Sequence, residues 1–225
     1  DSIAKTTDST QRQTYDPSNK FSTFVNTIEA KMPWSSNDLP VRYDTLGRPM
    51  TNGNSKAEAG FAKLLYPGEH TSDKSEAIDK EISRLFNATE EDRSVFPLVA
   101  PNSVNGEKLT AQEVSDYQGD MGARTRKVCE ALMDTDLYQS LDAVDQADMF
   151  KTVYGISKAI TERDLFGKGV SDTSQYKGAI AAYDKGKEEG LLNYLQGSAL
   201  ITASGVSSDS NAAKAIRAAA DKGKS

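Results

Sequence analysis

The chain of 225 residues carries 27 Lys and Arg against 33 Asp and Glu, a formal net charge of -6. This acidic balance argues against a general nucleic-acid binder, which needs a basic surplus to displace phosphate counterions. One histidine, His70, and one cysteine, Cys129, exclude an internal disulfide and any zinc site built from several such ligands.

The first residues, Asp1 to Pro17, are polar, with only Ile3 and Tyr15 as sizeable apolar groups, and read as a linker or arm. They contain no initiating methionine and no apolar signal core, so position 1 is expected to be internal to a longer product. Phe21, Phe24, Val25, Ile28 and Met32 then fall on one helical face, which Pro33 ends. From Trp34 to Asn54 the chain reads mostly as loop, with Val41, Tyr43 and Thr45 as one short extended piece.

A second helix is predicted from about Ser55 to Tyr66, stopped by Pro67-Gly68. Asp73 can cap a third, with Glu76 three residues on and Ile78, Ile82, Leu85 and Phe86 sharing a face. Val95-Phe96-Pro97-Leu98-Val99 and Val104-Asn105-Gly106-Glu107 suggest a small hairpin, because Asn-Gly supplies the positive φ angles of a type I′ turn. Pro97 would confine its strand to an edge.

Thr110-Ala111-Gln112-Glu113 is a capping box, and Val114, Tyr117, Met121, Val128 and Leu132 continue along one face for about six turns. A one-turn piece around Leu137 and Leu141 leads to Asp142, which can cap a second long helix whose Phe150, Val153, Tyr154, Ser157 and Ile160 face a partner. The short connection makes the two an antiparallel pair. After a break at Gly167 to Thr173, Tyr176, Ile180 and Tyr183 begin a further helix. A following segment holds Leu191, Leu192, Leu195 and Leu200, and an Ala-rich piece runs from Asn211 to Asp221. The apolar run Leu191 to Ala203 is interrupted by Asn193, Gln196 and Gly197 and falls short of a membrane span. The expected fold is mainly α: an irregular helical bundle with a long antiparallel helix pair and at most one small β-hairpin. Three parts are expected, an extended arm at 1–19, a helical core at 20–166 and a C-terminal helical segment at 167–225.

Reactive groups are sparse. His70 lies in a polar loop beside Glu69 and Thr71, where a general base would need a nucleophile within reach, and no serine there sits in an elbow pattern. Cys129 neighbours Val128 on the long helix and is expected to pack rather than react. Asp134, Asp136, Asp142, Asp145 and Asp148 are dense enough to hold a hard cation but lack calcium-loop spacing, and helix capping is the cheaper explanation. Gly167-Lys168-Gly169 begins like a dinucleotide fingerprint, yet Asp172 stands where its third glycine belongs. The acidic run Glu90-Glu91-Asp92 has no glycosidase specificity in so acidic a chain. Lys214, Arg217, Lys222 and Lys224 form a basic C-terminal piece. They are the candidate partner-contact residues, for an acidic protein surface or a weak nucleic-acid contact. No catalytic, cofactor or metal residue is assigned.

Several phrases occur in a telling order: Thr7-Asp8-Ser9-Thr10-Gln11-Arg12-Gln13-Thr14-Tyr15, Tyr43-Asp44-Thr45-Leu46-Gly47-Arg48, and Phe61 through Tyr66-Pro67-Gly68. They are followed by Val104-Asn105-Gly106-Glu107 with Leu109-Thr110 and the helix through Tyr117, then Leu137-Tyr138 with Leu141. Over about residues 5 to 165 the chain resembles the C-terminal region of the large polyvalent proteins of tailed bacteriophages, prophages and conjugative elements. From Gly167 onward it departs from that pattern. The resemblance implies a non-catalytic, virion-associated structural or packaging segment, delivered to or made in the bacterial host cytoplasm. Its partners would be other virion proteins or a second copy of itself, with no membrane. Two other classes of function compete with it. A cell-wall hydrolase or protease would use His70 or a carboxylate pair and should show a pocket uniting them. A small host-directed binding or inhibitor module should show a large exposed apolar patch.

Overall fold

A computed structural model describes residues 12–13, 39–50, 77–89, 95–96, 102–167 and 174–203, together with helical positions 211, 214 and 217. The helices expected at 21–32 and 55–66, together with His70, Asp73, Glu76, Glu90-Glu91-Asp92 and Pro97, lie outside the described residues. The elements in order are α1 (Ala77–Ala88), β1 (Ser103–Val104), β2 (Glu107–Lys108), α2 (Ala111–Met133), α3 (Asp136–Ser140), α4 (Ala143–Phe166), a 3-10 turn (Ser174–Tyr176) and α5 (Lys177–Ala203). The protein is thus mainly α, with one small antiparallel hairpin among the described residues.

Local chemistry sets the boundaries. The Thr110 hydroxyl accepts from the Glu113 N–H at 3.3 Å while the Glu113 carboxylate accepts from the Thr110 N–H at 2.8 Å, a complete capping box at the start of α2. Asp142 caps α4 by accepting from Val144 N–H at 3.0 Å and Asp145 N–H at 2.9 Å. Gly167, at φ 93°, ends α4 with its N–H on the Arg163 carbonyl. Asn105 and Gly106 turn the hairpin with φ 52° and 83°, as the type I′ geometry requires, and Val104 pairs with Glu107. The strands differ from expectation. Val95 and Phe96 form a buried bend rather than a strand, because the Phe96 ring is drawn into the core, stacking on Phe150 at 6.0 Å between centroids and lying 5.8 Å from Tyr154.

α2 and α4 run antiparallel: Tyr117, early in α2, meets Glu162 late in α4, and Arg124 further along meets Ser157 and Thr161. Every apolar position expected on the two facing stripes is buried. α4 is the central helix, packed by α2, α1 and α5. It buries residues on several sides, from Gln146 and Ala147 to Thr161 and Glu162, so its single-face pattern in sequence is weak. Ile78, Ile82 and Leu85 of α1 are buried, with Phe86 at the edge. In α3 the buried side chain is Tyr138, while Leu137 and Leu141 are only half-buried.

α5 is two helices joined at one residue. Lys187, at φ 52° and ψ -138°, reverses the chain. The Tyr194 ring lies against Gly178 and Gly190 against the Ala182 carbonyl, which places the arms 177–186 and 188–203 side by side and antiparallel. Ala179, Ile180 and Tyr183 from one arm and Leu191, Leu192 and Leu195 from the other join the same hydrophobic core as α1, α2 and α4. Leu200 points away and is 47% exposed, since the second arm buries only one stripe.

Candidate functional site

The basic residues expected to contact a partner are placed in part. Lys214 is exposed and Arg217 half-buried, both on helical backbone three residues apart, and Arg217 engages another group of the chain. Lys222 and Lys224 lie outside the described residues. The five aspartates between Asp134 and Asp148 are all exposed. Asp142 is occupied in capping and Asp148 accepts from Lys151 at 3.1 Å. Among the described residues no group of three or more His, Cys, Asp or Glu side chains is placed to hold a metal ion. No helix among them is long and apolar enough to cross a membrane. Cys129 is fully buried, and burial, with Glu130 nearby, pushes its thiol well above the ordinary range.

Among the described residues the structure instead brings together three polar constellations, one on the α2–α4 pair, one joining α1, α3 and α4, and one seating the 41–50 loop on α1 and α2. At the end formed by the start of α2 and the end of α4, the Tyr117 hydroxyl donates to Glu162 Oε1 at 2.8 Å, and Lys158 meets the same oxygen at 3.0 Å. Glu162 is 3% exposed and its other carboxylate oxygen has no partner among the described residues. Burial, then the bond to Glu162, pushes the Tyr117 phenol far above its ordinary value, and burial beside Glu162 pushes Tyr154 up to about 12. At the opposite end the Tyr138 hydroxyl donates to Glu81 Oε1 at 2.7 Å, which also holds Arg84 at 2.6 Å. Arg84 reaches on to Gln146, whose amide donates back to the Tyr138 carbonyl at 2.8 Å. The hydrogen bond from Arg84, against opposing burial and with help from Tyr138, holds the Glu81 carboxyl below its usual range. Three helices are tied by this one knot. Its phenol is kept protonated by burial and by the neighbouring carboxylate.

The third constellation explains the phrase Tyr43 to Arg48. Tyr43 and Pro49 pair across a tight loop in which the Asp44 carboxylate accepts from Leu46 N–H at 2.9 Å and Arg48 N–H at 2.8 Å. Arg48 folds back on Asp44 at 2.7 Å and reaches Asp79 of α1 through two bonds, 2.8 and 3.1 Å. The loop tip enters α2 at two glycines. A Cβ on Gly122 would overlap the Gly47 main chain, one on Gly47 would overlap the main chain of α2, and the Tyr43 ring lies on Gly119. Gly47 combines φ 67° with no room for a Cβ, so no other residue suits that position. Ser115 donates to the Val41 carbonyl and Gln118 to the Asp44 carbonyl, seating the plug while Leu46 enters the core. Residues 12 and 13 add to the same region, with Gln13 N–H on the Pro40 carbonyl at 2.7 Å.

These constellations are not marked as such by any residue pattern in the sequence. Glu162 had no signal, being one acidic residue among many. Gly119 and Gly122, three apart inside a strong helix, were the available sign of a close backbone approach. No family model, curated protein or solved structure matches the chain.

Proposed function

We propose that the chain is a non-catalytic structural or packaging segment of a phage or mobile-element protein that travels with the virion and works through protein contacts. The observation that carries this reading is the use to which its buried ionisable groups are put. Tyr117 with Glu162, and Tyr138 with Glu81 and Arg84, bridge one helix to the next. Their phenols are held firmly protonated, which suits fasteners and is poor tuning for proton transfer at neutral pH. The ordered phrases that resemble those of the polyvalent proteins agree with the same assignment, and the Tyr43 to Arg48 phrase has an architectural part as the plug on α2. In this reading the exposed helix faces and the basic residues Lys214, Arg217, Lys222 and Lys224 meet other virion proteins.

The test is mass spectrometry of purified particles of the source element. Peptides covering this chain, at a constant ratio to the capsid protein, are the expected result. Their absence from particles would remove the assignment. Loss of a hydrolytic activity on cell wall or peptide in a folded His70→Ala variant would replace it with an enzymatic one.

A further inference from the structure

We infer that the α5 hairpin is an exchangeable element: in a dimer of this chain Lys187 joins the helix, the arms straighten, and each second arm (188–203) packs on the other copy's body. The reversal in the closed form rests on a single residue, and that residue has a side chain. At φ 52° and ψ -138° Lys187 occupies backbone space that belongs to glycine, so the hinge is strained as it stands. Straightening removes that strain, and no proline between 177 and 203 opposes a continuous helix. Lys187, Glu188 and Glu189 are good helix formers, while Gly186 and Gly190 are tolerated at a cost. A short hinge under strain is the recognised condition for exchange of an identical element between copies.

The register of the hairpin fits this exchange. Gly178 and Tyr194 each lie eight residues from Gly186, and Ala182 and Gly190 each lie four away. Two straight α5 helices crossing antiparallel at Gly186 about a twofold axis therefore remake both contacts twice, once in each direction. At Gly186 itself the space around a would-be Cβ is open, so the crossing point carries no obstruction from the arms. The second arm's ties to the body are also transferable. Leu191, Leu192 and Leu195 fill the core, and Glu188 accepts from Lys127 of α2 at 3.2 Å. The first arm keeps its own anchor, the Arg163 to Asp184 pair at 2.9 Å. Closed monomer and exchanged dimer then share the described contacts of the two arms with each other and with the body, and they differ at the hinge, where only the dimer is relaxed. As a route to assembly the exchange rests on the reading above, whereas its physical basis in the hinge does not.

Light scattering coupled to size-exclusion chromatography, on the intact chain over a wide concentration range, provides the test. Monomer and dimer are expected in slow exchange. Lys187→Gly, which relieves the closed hinge and weakens the straight helix, should raise the dimer dissociation constant roughly tenfold or more, and Lys187→Ala should lower it. Mixing a Glu188→Lys copy with a Lys127→Glu copy identifies the exchanged arm. Each variant alone opposes like charges, while the mixed dimer sets opposite charges at both exchanged contacts, so heterodimer should exceed the statistical half. A chain that stays monomeric throughout, as wild type and as Lys187→Ala, overturns the inference. So does a dimer that mixes statistically, which would be side-by-side association. If Lys187→Ala fails to fold, the wild-type concentration series decides. Absence from particles would leave the exchange standing, and a strictly monomeric chain would leave the particle assignment standing.

Discussion

Helix α2 is gripped in two different ways. Toward α4 it presents Tyr117, Met121, Val128 and Leu132, and the contact is a wide apolar seam closed at one end by the Tyr117 to Glu162 hydrogen bond. Toward the 41–50 loop it presents Ser115, Gln118, Gly119 and Gly122, and the contact is main chain against main chain, closed by the Asp44, Arg48 and Asp79 bonds. The seam draws its strength from area removed from water, at about 1.5–3 kcal/mol for each large side chain fully buried. Beyond the one apolar anchor Leu46, the plug draws its strength from shape, so at its glycines it should be intolerant of added atoms.

The largest loss is expected in the seam. Phe150→Ala removes a fully buried ring that contacts both Phe96 and Tyr138, and should cost about 3–5 kcal/mol in denaturant unfolding of the intact chain. The sharpest contrast comes from two adjacent residues. Gly122→Ala adds one methyl group against rigid main chain and should cost about 3 kcal/mol, whereas Met121→Leu, a volume-conserving change in the seam, should cost less than about 1.5 kcal/mol. Equal losses at the two positions would erase the distinction between area and shape. Tyr117→Phe leaves the ring in place but takes a donor from a buried carboxylate that already has one unsatisfied oxygen, and about 1–3 kcal/mol is expected by the same measurement.

The smallest effect concerns pH. The Glu81 carboxyl titrates below its ordinary value of 4.5 in the folded chain, so its stabilisation is complete above that pH and is lost as the pH falls through the depressed value. Glu81→Gln should therefore lose less stability than wild type on acidification below pH 4.5. The difference should be no more than about 1 kcal/mol, because Arg84 is open to solvent on one side.

How much of this was legible follows from the same contrast. The seam could be read because apolar residues at helical spacing, a Thr-x-x-Glu box and a capping aspartate are local patterns. The plug was not readable as a contact. Its partners lie about 75 residues apart, and nothing in the chain between them announces that Gly47 will meet Gly122. The helix interior did carry two glycines where propensity argues against them, and that conflict was the trace of the plug. The Asn105-Gly106 turn was legible while its strands were misjudged, because tertiary burial of Phe96 outweighed its strand propensity. Leu200, apolar in pattern and exposed in fact, shows the same limit from the other side. The charge of the basic C-terminal piece is readable from composition, and the described residues include Lys214 and Arg217 of it.

The proposal that most needs testing is that the buried phenols and carboxylates fasten helices for an assembling protein and take part in no reaction. The most direct measurement is particle yield from the source element when its own copy is replaced by a Tyr117→Phe, Glu162→Gln chain, at a temperature where circular dichroism shows that chain folded. Yield equal to wild type is expected, because contact surfaces are unchanged. A folded, packaged variant that fails to support particle function would contradict the account and mark the Tyr117 to Glu162 pair as a working chemical centre.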